Sequence, residues 1–381
     1  MVIWRLLLAT FALASAAVWG QQAGAELNEQ VLMVPKTTGL LGIDLETTLY
    51  KPEGAGPFPI VVINHGKAYG DTRFQDRYRP SAAVRFFLQR GYAAVVPMRQ
   101  GFSKSGGSYI GADCNVHSNG LVQAEDVKAV LDWATAQTWA DKSNILVLGQ
   151  SHGGWTTLAL GTQAYPGVKG LVNFAGGLRQ DQCAGWQGTL ARAAGAYGAQ
   201  TRVPSLWFYG DNDSYFDTYT YKSMYESYLA AGAPVELVAF GVFGNDSHSM
   251  FSARSGESIW QPRVDRFMRA VGLPSAIVQP RFAVTSRMPT PPRTDFAAID
   301  ALDKLPHVRD AGREGYRVFL GKPFPRAFAI APGGAWGWAE MGDDPLQRAL
   351  GNCQRHANKA VCRLYAVDDQ VVWLPEPKES R

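Results

Sequence analysis

Residues 144–164 constrain this chain more tightly than any other stretch. The apolar run Asn144-Ile145-Leu146-Val147-Leu148 reads as a buried strand, Trp155 to Ala164 reads as a helix, and Gly149-Gln150-Ser151-His152-Gly153 is the turn between them. So sharp a turn forces its central residue into a strained backbone conformation. Glycines two positions either side remove the Cβ atoms that would collide with the neighbouring strand and helix. Ser151 Oγ is then expected to stand exposed above the sheet. A bare G-x-S-x-G also fits an ordinary glycine-rich loop; the flanking strand and helix favour a nucleophile.

A serine hydroxyl attacks poorly at neutral pH, so this reading requires a histidine to take its proton and a carboxylate to orient that histidine. The apolar run Pro204 to Tyr209 ends in Gly210-Asp211-Asn212-Asp213, where a carboxylate would emerge at the strand's C-terminal edge. Asp213 is the candidate acid. Asp211, whose ordinary role would be to hold turn amides, and Asp217 remain alternatives. A further strand, Pro234 to Phe240, opens into the polar loop Gly241 to His248. The chain has 6 histidines. His307 and His356 lie in a separate C-terminal segment, His117 in an irregular loop, and His65 just after the strand Ile60-Val61-Val62-Ile63. His152 sits beside Ser151 with its side chain expected to point away, which leaves His248 as the general base.

Around these residues strand and helix alternate. Gln30 to Pro35 and Ile43 to Lys51 read as an edge hairpin, Ser81 to Arg90 as a helix ended by Gly91, and Tyr92 to Met98 as a strand. Asn119 to Gln137 carries apolar residues at helical spacing, and Lys169 to Ala175 reads as the next strand. Such alternation argues for a mostly parallel sheet covered on both faces. At 381 residues and 46% hydrophobic, the chain has room for one large domain and a small one. A formal charge of +4 without a dense basic block argues against a nucleic-acid partner.

The order Ser, Asp, His in these strand contexts resembles the α/β-hydrolase superfamily, most closely its dienelactone-hydrolase-like and prolyl-oligopeptidase-like branches, over about residues 30–270. The resemblance implies a doubly wound α/β fold and an oxyanion hole in which the Lys67 N–H, after His65-Gly66, pairs with the His152 N–H. Arg99 to Gly107 is similar to the family's Arg-Gly-x-Gly-x-Ser-x-Gly stretch, departing from it at Gln100 and Phe102. In similar proteins an insertion like Gly176 to Val203 walls or lids the acyl pocket, so Trp186, Tyr197, Tyr215 and Phe216 are pocket candidates, with ordinary packing the competing reading. The activity implied is acyl-enzyme hydrolysis of a small or polymeric carboxylic ester, without cofactor or metal. A peptidase acting on short peptides and a non-catalytic binding module are the alternatives.

Residues 1–25 read as a signal peptide: Arg5, an apolar run Leu6 to Val18 too short to span a bilayer comfortably, and Ala23-Gly24-Ala25 as a cleavage site. A secreted or periplasmic location follows, with no membrane attachment after cleavage. In an oxidising compartment the 4 cysteines pair most simply within domains, Cys114 with Cys183 and Cys353 with Cys362. The remaining chain divides into a hydrolase domain at 26–270, a proline-rich linker at 271–294 and a small α+β domain at 295–381. In the small domain, Asp295 to Leu305 reads as a helix, Arg326 to Ala331 and Ala335 to Ala339 as short strands, Pro345 to Ala357 as a helix capped by Asp344, and Arg363 to Trp373 as a final strand. Trp336 and Trp338 share a strand face, which suits core packing or contact with a polysaccharide.

Overall fold

The computed structural model describes residues 27–38, 41–283, 288–342 and 344–375; the signal peptide expected at 1–25 lies outside them. A central sheet of eight strands dominates the structure, in the order β1-β2-β4-β3-β5-β6-β7-β8. The strands are β1 (Glu29–Thr38), β2 (Leu41–Tyr50), β3 (Phe58–Asn64), β4 (Ala93–Pro97), β5 (Ala140–Gln150), β6 (Val168–Phe174), β7 (Ser205–Tyr209) and β8 (Val235–Ala239). β1 and β2 form an antiparallel hairpin, β2 pairs antiparallel with β4, and every pairing from β4 to β8 is parallel. This is the mostly parallel, doubly wound arrangement of the α/β-hydrolase fold.

Central strands such as β4 and β7 are buried along their whole length because both faces are covered, and all but Ser205 of their residues are apolar or aromatic. On one face, α1 (Ser81–Gln89) and α6 (Glu257–Ala270) close a core that contains Phe86, Phe87, Trp260 and Phe267. On the other, α2 (Val116–Thr135), α3 (His152–Gly161), α4 (Trp186–Gln200) and α5 (Thr218–Ala230) bury Val127, Trp155, Leu190 and Tyr221. Trp155 and Trp260 are fully buried, one in each core. Truncating either to alanine should cost about 3–5 kcal/mol. The strands that lead to Ser151 and Asp213 are thus held from both sides.

The small domain is a four-stranded antiparallel sheet in the order β10-β9-β11-β12. Its strands are β9 (Arg326–Ile330), β10 (Trp336–Glu340), β11 (Arg363–Val367) and β12 (Gln370–Val371). Alternation along β9 explains the two layers. Ala327 and Ala329 face α8 (Pro345–Gln354), while Phe328 and Ile330 face α7 (Asp310–Leu320). Asp344 caps α8 by accepting from the Gln347 N–H, with Pro345 in the first turn. The buried Arg326 guanidinium donates to the carbonyls of Phe319 and Lys322, both at 2.8 Å, and so caps the C-terminal end of α7. Disulfides join Cys114 to Cys183 and Cys353 to Cys362.

Three expectations for this part of the chain need correction. Asp295 to Leu305 is irregular apart from one 3₁₀ turn at Leu302–Lys304, and the helix lies further on, at α7. Two glycines weaken helix propensity there, yet tertiary packing requires them: a Cβ on Gly312 or Gly315 would stand 3.0 or 2.3 Å from the Trp336 indole. Trp336, half-buried, also stacks on Phe328 at 5.8 Å, and the Lys322 ammonium lies 5.1 Å from the Trp338 ring. Secondly, Arg363 to Trp373 is a hairpin rather than one strand, turning at Asp368-Asp369 with Asp368 at φ 52°. Thirdly, the 271–294 segment is packed over its first half. The Tyr92 hydroxyl and Arg85 Nη1 donate to the Pro274 and Phe282 carbonyls, the Val278 and Gln279 N–H groups donate to Gln89 O at the end of α1, and Leu273 and Phe282 are buried.

Candidate active site

Ser151 stands between β5 and α3 at φ 56°, ψ −126°. Its N–H donates to Phe174 O at 2.9 Å, and its carbonyl accepts from Trp155 N–H at 3.0 Å, which fixes the strained residue in place. The turn has no room for side chains at its glycines: a Cβ on Gly149 would lie 2.3 Å from Gly153 O, and one on Gly153 would lie 2.2 Å from Asn64 O.

The loop after β7 carries Asp213 to the imidazole of His248, in the loop after β8. Nδ1 lies 3.0 Å from Asp213 Oδ2 and 3.1 Å from Oδ1. Since a carboxylate accepts, Nδ1 is the donor, and in the neutral ring Nε2 carries the lone pair. Asp213 Oδ1 also accepts the N–H groups of Tyr215 at 2.8 Å and Phe216 at 2.9 Å, so backbone fixes the carboxylate that fixes the ring. Asp211 is committed elsewhere, accepting from the Tyr221 hydroxyl at 3.1 Å, and Asp217 caps α5 through the Thr220 N–H. Among the described residues no hydrogen bond joins Ser151 Oγ to His248. The two loops are tied instead by Gln150, whose Nε2 donates to His248 O at 2.7 Å. Sequence reasoning missed Gln150; its one signal was its place next to the serine.

On the other side of the serine, a Cβ on Gly66 would come within 3.3 Å of Ser151 Cβ, so the His65-Gly66-Lys67 turn runs directly alongside. His152 opens α3, where helix N–H groups have no partner within the helix. The His65-Gly66-Lys67 turn and the start of α3 therefore flank the serine. Beneath them lies a buried polar network absent from the sequence reading. His65 Nε2 accepts from the Arg99 N–H at 3.1 Å, which leaves Nδ1 to donate to Gly66 O at 2.6 Å. His152 Nδ1 accepts from Arg99 Nη2 at 3.2 Å, and its Nε2 donates to Asn119 Oδ1 at 2.7 Å. Burial, reinforced by the Arg99 charge, holds both imidazoles well below the usual histidine range, so both are neutral. Burial also draws Arg99 down to about 10, against the opposing pull of Asp126, and the guanidinium stays charged at neutral pH. Asp126 in turn accepts from Lys36 at 2.5 Å and from the Gln100 N–H at 2.8 Å.

The four aromatic pocket candidates separate. Tyr215, half-buried, packs on His248 with ring centroids 4.4 Å apart; Phe216 lies 5.8 Å from the same ring but is buried in the core, behind the pocket rather than lining it. Tyr69, largely exposed, extends the aromatic surface 6.1 Å beyond Tyr215. Tyr197 must be removed from the set. It is fully buried, packs 4.8 Å from Trp155 and donates to His117 O at 2.6 Å, because the inserted segment forms a packed helix, α4, rather than a lid. Trp186, at the start of α4, packs against the same core.

Residues 42–203 match the family model described as X-Pro dipeptidyl-peptidase (S15 family). The matched stretch holds His65, Arg99 and Ser151 and ends before Asp213 and His248. Among solved structures, an esterase from Pyrococcus furiosus is similar at 18% identity and a TM-score of 0.47, over 65% of this chain and 92% of its own. A Pyrococcus horikoshii acylaminoacyl peptidase is similar at 17% identity and 0.46, over 65% of this chain and 42% of its own. A putative dienelactone hydrolase from Klebsiella pneumoniae is similar at 18% identity and 0.44, over 64% of this chain and 99% of its own.

Proposed function

We propose that this chain, a serine hydrolase of the α/β-hydrolase type, is an exported carboxylic ester hydrolase with Ser151, His248 and Asp213 as its triad. Ser151 Oγ attacks the ester carbonyl while His248 Nε2 takes its proton, and Asp213 holds the imidazolium that forms. The Lys67 and His152 N–H groups receive the oxyanion, and His248 then protonates the departing alcohol. Water, activated by His248, attacks the acyl-enzyme carbonyl; the second tetrahedral intermediate releases the acid and frees Ser151. Tyr215, half-buried on the His248 ring, would present an apolar wall beside the reacting carbonyl, suited to an acyl or alkyl group.

The observation that favours ester over peptide is how the nearby carboxylates are used. A dipeptidyl or aminoacyl substrate brings an ammonium that needs an acidic partner. Asp213 is bound to His248, Asp246 to the Ser214 hydroxyl and N–H, Asp211 to Tyr221, and Asp181 to Arg179. The family model favours the second reading, a peptidase acting on short peptides. Purified protein assayed with 4-nitrophenyl esters of graded acyl length beside aminoacyl-prolyl anilides separates the two. Esters should be turned over with a clear acyl-length optimum and the anilides barely; efficient anilide cleavage would reverse the assignment. Export rests on the N-terminal segment and the two disulfides. No helix among the described residues is long and apolar enough to cross a membrane.

A further inference from the structure

The loop that carries His248 is held from two directions. From the hydrolase side, Asn212 Oδ1 accepts the Phe243 N–H at 3.0 Å and Asn212 Nδ2 donates to Gly244 O at 3.2 Å. Asp246 accepts the His248 N–H at 2.9 Å and the Ser214 hydroxyl at 2.6 Å. From the other side comes the turn between β11 and β12 of the small domain. Asp369 Oδ2 accepts the Asn245 N–H at 2.7 Å, and Asp369 O accepts from Asn245 Nδ2 at 2.9 Å. The approach is close: Gly244 has φ 51°, and a Cβ there would stand 2.8 Å from Asp369 Oδ2. A side chain at 244 would therefore displace the Asp369 carboxylate from its place on the Asn245 N–H.

The turn itself is anchored in its own domain. Asp368 Oδ1 accepts the Arg326 N–H at 2.9 Å, and the Asp368 N–H donates to Arg326 O at 2.8 Å. Arg326 in turn caps α7, so the grip on Asn245 is transmitted to the small domain's core rather than to a free tail. Asn245 lies three residues before His248, with Asp246 and the buried Ser247 between them. We propose that Asp369 is a positioning residue for His248, and that the small domain acts as a clamp on the histidine loop. The clamp rests on the triad reading above, because its effect on rate is exerted through the general base.

Misplacing a catalytic group by about 1 Å can cost about 10²-fold. Asp369→Ala should accordingly lower kcat on a small soluble ester by about 10- to 100-fold with KM little changed, and slow fluorophosphonate labelling of Ser151 in step. Asp369→Asn retains an acceptor for the Asn245 N–H and should restore most of the rate, a rescue that a general packing role would not give. Gly244→Ala, which keeps the Asp369 side chain but crowds its carboxylate off the Asn245 N–H, should reproduce the loss, and it decides the matter if Asp369→Ala does not fold. Hydrogen exchange across residues 241–249 reads the clamp independently of turnover and should accelerate in Asp369→Ala and Gly244→Ala. A folded Asp369→Ala protein with wild-type kcat and unchanged exchange would overturn the clamp while leaving the triad intact. Wild-type protein with neither turnover nor labelling would instead sink the hydrolase reading, and with it the clamp's effect on rate.

Discussion

Asp213→Asn is the perturbation whose consequence can be worked most fully from the geometry. The Asp213 side chain is completely buried, and its Oδ1 accepts the Tyr215 and Phe216 N–H groups at 2.8 and 2.9 Å. An asparagine keeps those two bonds through its carbonyl oxygen, so the loop has no reason to move. Its NH₂ group then faces His248 Nδ1, where the carboxylate stood at 3.0 Å. Two donors cannot share that position. Oδ1, 3.1 Å from Nδ1, is already shared by the two backbone N–H groups, so the new donor favours the tautomer with its proton on Nε2, and the nitrogen that should receive the serine proton becomes a donor. The expected cost is about 10⁴ in kcat, equivalent to about 5.5 kcal/mol of transition-state stabilisation. Thermal unfolding should move little, because the backbone contacts survive. The assay is kcat and KM on a small ester for Asp213→Asn beside Asp211→Asn, whose carboxylate serves Tyr221 and should matter far less. A loss of less than about tenfold in Asp213→Asn, or a larger one in Asp211→Asn, would refute the assignment of the acid.

Two further outcomes concern stability. Asp217→Ala removes the cap of α5, in which Asp217 Oδ1 accepts the Thr220 N–H at 2.8 Å, and should cost about 1 kcal/mol in urea unfolding with kcat unchanged. Asp368 is raised from 3.8 to about 6, chiefly by burial. A carboxyl whose folded pKa is raised contributes stability below its unfolded value and loses that contribution as pH rises through about 6. Asp368→Asn, which can still accept the Arg326 N–H, should therefore gain up to about 3 kcal/mol over wild type at pH 8 and little at pH 4, read from urea midpoints at the two values.

What the sequence discloses depends on how local the physical constraint is. Gly149 and Gly153 are required by backbone atoms within the same turn and by the adjacent strand, so the position of Ser151 is legible without any tertiary information. The order of strands and helices follows from apolar runs for the same reason. Asp213 and Asp211 are only two residues apart on one loop, and what separates them is the direction of the Tyr215 and Phe216 N–H groups, which no local pattern encodes. Tyr197 passes for a pocket aromatic in the sequence because small residues and glycines mask the helix at 186–200; its packing on Trp155, and its hydroxyl reaching over the bare Gly120, depend on α2 and α3. In the small domain the glycines of α7 hide a helix that only Trp336 makes sensible. The Asp368-Asp369 turn carries no glycine, and Asp368 is held at positive φ by bonds to Arg326, a partner 42 residues away. The network of His65, Arg99 and His152 was missed because its members come from three strand ends that meet only in the folded sheet.

The central claim is that Ser151 is a nucleophile activated by His248. Mass-mapped fluorophosphonate labelling of native protein, beside Ser151→Ala and His248→Ala, tests it most directly. Labelling should occur on the peptide containing Ser151 and at no other serine, vanish in Ser151→Ala, and slow by several orders of magnitude in His248→Ala, with circular dichroism unchanged throughout. Labelling that persists in a folded Ser151→Ala protein, or proceeds at the native rate in His248→Ala, would contradict it.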